Sequence, residues 1–137
     1  MKNKIKYEFL SHTADLKIRA YGKDWSELFS NMLCGMFESI GPEIVEKKEI
    51  KREIKISSSD LESLLVDFLS EALYLSDIYN EAYFSSCFKE ISEKKLSGEI
   101  CGYKIRSLKE EIKAVTWHEL KIKKINSLWQ AEVVFDI

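Results

Sequence analysis

The residues of this chain whose types could carry chemistry gather near its two ends. The run "SHTAD" (11–15) sets His12 and Asp15 between two strand-like stretches, and "FDI" closes the sequence with Asp136 beside the terminal carboxylate of Ile137. Carboxylates held together repel, and a hard cation such as Ca²⁺ or Mg²⁺ accepts oxygen donors and relieves that repulsion. The same residues have plainer readings. Asp15 suits an Asx-turn, accepting amide hydrogens, Asp136 suits a solvated terminus, and His12 suits a hydrogen-bonded turn. Residue types leave both readings open. The cation reading requires that the first and last strands be neighbours.

Other chemistries find less support. There is no GxSxG, HExxH, P-loop or GxGxxG pattern. Cys34, Cys87 and Cys101 lack CxxC and zinc-ligand spacing, and their odd number reads as reduced, buried thiols, with Cys34 on an apolar helical stripe. A hydrolase built from His12, Asp15 and a serine can be drawn, but nothing names its substrate. By pattern, Lys113 in "EEIKAVTWHEL" is one surface lysine among charged neighbours. His118 reads as an outward strand position near Lys121 and Lys123.

These residues need a scaffold, and 137 residues with 45% hydrophobic and 32% charged side chains suffice for one domain spanning 1–137. A net charge of −2 offers no basic face for nucleic acid, so any RNA would be reached through a partner. The start "MKNKIKYEF" lacks an apolar signal core and no run approaches membrane-spanning length, so the expectation is a cytoplasmic protein without membrane contact.

Residues 5–10 and 16–21 alternate as strands, with Leu16, Ile18 and Ala20 on one side. Asp24 with Glu27 forms a capping-box pattern ahead of the stripe Trp25, Leu28, Phe29, Met32, Leu33, Met36, Phe37 and Ile40, which Gly41-Pro42 ends. A strand at 49–57 follows. Ser59 with Glu62 then opens a second helix with the stripe Leu61, Leu64, Leu65, Phe68, Leu69, Ala72 and Leu73. From residue 82 the pattern is β, with a hairpin at Asn126-Ser127 and a last strand presenting Trp129, Ala131, Val133, Phe135 and Ile137 to one side. Two amphipathic helices and about seven strands predict an α+β fold, the helices packed on a shared antiparallel or mixed sheet.

Against this background, "YEFLSHTADLKIRAYGKDWSELFSNMLCGMFESI", "IKAVTWHELKI" and "WQAEVVFDI" resemble the three signatures of the archeases, in the family's order. "DLESLLVDFLSEALYLSD" is similar to its central segment, so the likeness covers nearly the whole chain. The resemblance implies an accessory protein, not an enzyme, that helps an RtcB-type tRNA-splicing RNA ligase through guanylylation of the ligase histidine and multiple turnover. It implies a divalent metal ion, Ca²⁺ or Mg²⁺/Mn²⁺, held by Asp15, Asp136 and Ile137, with Lys113 and His12 as functional or partner-facing residues. One position departs from the family pattern: Ser11 stands where an acidic residue is usual, which bears on ion affinity or ligase contact. The alternative is a chaperone-type binding module in which an ion only ties down the chain ends.

Overall fold

Two helices with one apolar face each need surfaces to cover them. The computed structural model, which describes residues 5–10 and 15–137, supplies those surfaces as two antiparallel sheets. In chain order the elements are β1 (Tyr7–Leu10), β2 (Leu16–Gly22), α1 (Trp25–Ser39), β3 (Pro42–Ile44), β4 (Ile50–Ser57), α2 (Leu61–Tyr79), β5 (Glu81–Ile91), β6 (Lys95–Leu108), β7 (Ala114–Val115), β8 (Lys121–Ile125) and β9 (Leu128–Asp136). One sheet runs β1-β2-β9-β7 with β8 also on β9. The other runs β3-β6-β4 with β5 also on β6. The expected α+β architecture is found, and every pairing among the described residues is antiparallel. The single shared sheet is divided in two, and α1 packs on both, against β2 and β9 on one side and β5 on the other.

The stripe read from the sequence explains α1. Leu28, Phe29, Met32, Leu33, Met36 and Phe37 are fully buried. The Asp24 carboxylate accepts from the Glu27 amide at 2.8 Å, while Glu27 reaches back to the Lys23 amide, one residue upstream of the expected partner. Gly41 ends the helix at φ +60°, and Pro42 opens edge strand β3, where its missing N–H costs no ladder bond. In α2 the cap is Asp60 rather than Ser59: its carboxylate accepts from the Ser63 amide at 2.7 Å. Asn80 closes α2 in the left-handed region at φ 56°.

Long strands β5 and β6 must curve around these helices. Strand β5 carries two bulges, between Tyr83 and Ser85 and between Phe88 and Glu90, opposite Gly102 and Gly98. A Cβ on Gly102 would stand 1.8 Å from the Ala82 carbonyl oxygen, so glycine is required where the bulged strand presses in. Within the core Phe29 and Phe68 touch each other and the half-buried Phe88, and Phe37 stands edge-on to Tyr83 at 5.6 Å.

The cysteine expectation needs correction. Cys34 and Cys101 are half-buried and Cys87 is exposed, all free. Cys34 falls beside the α1 stripe rather than on it, and Cys87 takes an outward step in the alternation of β5. Burial pushes the Cys34 thiol above its ordinary range.

Candidate metal centre

The end of the β2–β9 pair is where the sequence-predicted site residues gather. The two strands are paired from Gly22↔Trp129 to Leu16↔Phe135. Asp15 immediately precedes β2 and Asp136 is the last residue of β9, so both adjoin the final Leu16↔Phe135 pair of the ladder. Asp15 is half-buried, whereas Asp136 and Ile137 are exposed.

Lys113 reaches the same place by a different element. Its amide donates to the Asp136 carbonyl at 2.7 Å, and Ala114 then pairs with Asp136 as β7 joins β9. The Lys113 side chain is exposed. The expected set of Asp15, Asp136, Ile137 and Lys113 is thus brought to one end of one sheet. Ser11 and His12 lie outside the described residues.

Sequence reasoning missed what holds this end in place. Thr116 donates to the Val134 carbonyl twice, from its amide at 3.0 Å and its hydroxyl at 2.8 Å, clamping the strand two residues before Asp136. Lys17 bridges Glu119 at 3.2 Å and Glu132 at 3.5 Å, and Arg19 grips Glu132 at 2.6 Å. Burial works against the Glu132 carboxylate, but the Arg19 hydrogen bond and the charges of Arg19 and Lys17 outweigh it and hold that carboxyl below the ordinary range. The outward alternation of Lys17, Arg19 and Glu132 was the available signal. The threonine gave none, because its partner is a carbonyl of a distant strand. His118 is corrected too. It sits exposed in the turn between β7 and β8, followed by Glu119 at φ 57°, and is not a strand position.

The donor set suits one kind of ion. The side chains of Asp15 and Asp136 are oxygen donors, which would suit Ca²⁺, Mg²⁺ or Mn²⁺ rather than a thiolate- or imidazole-seeking metal. Among the described residues no three His, Cys, Asp or Glu side chains come together as a cage.

The archease protein family model (MTH1598/TM1083) matches residues 7–137. The chain belongs to the archease family. Protein archease of Methanosarcina mazei is 40% identical over 140 residues, 96% of each chain. The solution structure of Methanobacterium thermoautotrophicum protein 1598 is 31% identical with a TM-score of 0.70, over 96% of this chain and 99% of that one. The crystal structure of a Thermotoga maritima archease, described as a possible chaperone, shares the fold at 22% identity with a TM-score of 0.67, over 100% of this chain and 98% of that one. The archease match runs through both strands that carry the aspartates. Among the described residues, no helix is long and apolar enough to cross a membrane.

Proposed function

We propose that this archease is an accessory protein of an RtcB-type RNA ligase, promoting guanylylation of the ligase histidine and multiple turnover without being a ligase itself. The observation that supports the reading is the β2–β9 register, whose end adjoins Asp15 and Asp136, with the Lys113 amide bonded to the Asp136 carbonyl. The broader form of the reading, a protein that acts on a partner protein, accords with the description of the Thermotoga relative as a possible chaperone.

Asp15 and Asp136 offer carboxylate oxygens, and Ile137 its carbonyl or terminal carboxylate. A bound divalent cation would supply charge neutralisation for phosphoryl oxygens during nucleotidyl transfer. The exposed Lys113 ammonium is free to meet a phosphate or an acidic ligase residue. His12, outside the described residues, keeps the partner-facing role that the family resemblance implies. In this reading RNA is reached through the ligase, in keeping with the net charge of −2.

The test is guanylylation and multiple-turnover ligation by the cognate ligase, with and without this protein, with a chelator control. Asp15→Ala is expected to lower the stimulated turnover by about 10–100-fold while the unfolding temperature stays within a few degrees. Full stimulation by a folded Asp15→Ala protein would overturn the reading and leave docking by shape alone.

A further inference from the structure

The last turns of α2 face residues 105–115 across a cavity of about 460 Å³, within the range of small-ligand and side-chain pockets. Ser70, Tyr74 and Asp77 stand at i, i+4 and i+7 and share one stripe of the helix. Ser76 lies at the back of the same wall, and Glu111 and Lys113 line the opposite one.

The lining has unspent polar groups. Arg106 is paired with Glu43 at 2.7 Å. Asp77, Glu111 and Lys113 make no ion pair among the described residues, which leaves two carboxylates against one ammonium. Ser76 is only 5% exposed, yet its hydroxyl makes no hydrogen bond among the described residues and lines the cavity. A helical serine so buried would ordinarily bond back to the preceding turn. The Tyr74 ring, one turn before Asp77, is 59% exposed.

The same helix end already shows what such groups hold. The Arg52 guanidinium lies 3.6 Å from the centre of the Tyr79 ring. Glu81 grips it through two hydrogen bonds, at 2.9 and 2.7 Å. Tyr74 and Asp77 present a second ring and carboxylate, and among the described residues no cation ion-pairs with Asp77.

We propose that this cavity binds the guanidinium of an arginine side chain carried by a partner protein. The plane stacks on Tyr74, Asp77 accepts two N–H bonds, and the Ser76 hydroxyl and Glu111 accept others. Lys113 repels the guanidinium and so keeps it on the helix side. An apolar anchor would strip water from two carboxylates without replacing its bonds, and a phosphate would meet them as like charges. Arginine is favoured over lysine because only a planar fork both stacks and binds bidentately. The inference does not rest on the cation site and stands if Asp15 and Asp136 hold nothing.

The test is an amide-resolved NMR titration of the whole chain with N-acetyl-arginine amide, its lysine and citrulline counterparts, and inorganic phosphate. Saturable shifts confined to residues 70–80 and 105–115 are expected with arginine, at millimolar affinity. Lysine should bind about tenfold more weakly, and the uncharged citrulline should not saturate. Asp77→Asn and Tyr74→Leu should each weaken the arginine compound about tenfold, with the remaining spectrum superimposable on the parent. The proposal is overturned if citrulline binds as well as arginine, if phosphate saturates these residues instead, or if arginine fails to saturate at about 20 mM.

Discussion

Glu81 shows how single side chains set the terms for their neighbourhood. Its side chain is 3% exposed, accepts two hydrogen bonds from Arg52, and takes a third from the Tyr83 hydroxyl at 2.7 Å. The Arg52 hydrogen bond is the main cause holding the Glu81 carboxyl below its ordinary range, against burial, while burial and Glu81 together push the Tyr83 hydroxyl far up. A carboxyl with a lowered folded pKa stabilises fully above the unfolded value of about 4.3, and loses that contribution as the pH falls through the folded value. Glu81→Gln is therefore expected to cost about 2 kcal/mol at pH 7. The gap to the parent should shrink as the pH drops below about 4. Urea unfolding at matched pH checks this; an undiminished gap at about pH 3 would contradict it. At the proposed cation site the situation is the opposite. Asp15 and Asp136 flank the last pair of the β2–β9 ladder, and under the proposed function a cation from outside stabilises their carboxylates.

The helices and most strands were legible in the sequence because their signals are local. The α1 stripe and the alternation of Leu16, Ile18 and Ala20 matched the buried faces, since each depends only on spacing along the chain. The misses were also local in kind. Ser59 and Asp60 compete for one cap, and the carboxylate took it. Three residues of β3 gave too short a run to read, and a turn at Trp117–Glu119 broke what looked like one strand around His118. The Asn126-Ser127 hairpin was read correctly, yet both residues adopt positive φ, 52° and 67°, and serine is poorly suited to the second. Ser127→Gly is expected to raise stability by about 0.5–1 kcal/mol, read as a higher urea midpoint at unchanged slope. Gly102→Ala should do the reverse, losing about 1–3 kcal/mol as the Ala82 carbonyl is forced away from the bulge. A neutral Gly102→Ala result would mean that the bulge relaxes freely.

The architecture converts residues 121 positions apart in sequence into neighbours, and this was the least legible part. Nothing in the spacing of Asp15 and Asp136 says that β2 and β9 pair; that follows from long-range burial of Ile18, Ala20, Ala131 and Val133 against α1. Likeness to a family suggested the meeting, and the register places the two strand ends side by side. If the last residue is a ligand, one extra residue after Ile137 displaces the terminal carboxylate by about 3.3–3.6 Å. It should then abolish ligase stimulation, whereas docking by shape alone would tolerate it. The most direct measurement of the central claim is calorimetric titration of Ca²⁺, Mg²⁺ and Mn²⁺ into the parent chain, Asp15→Asn and Asp136→Asn. The account predicts one ion per parent chain, and at least about tenfold weaker binding in either variant, with both still folded. Equal affinity in all three proteins, or no binding to the parent at millimolar ion, would contradict it.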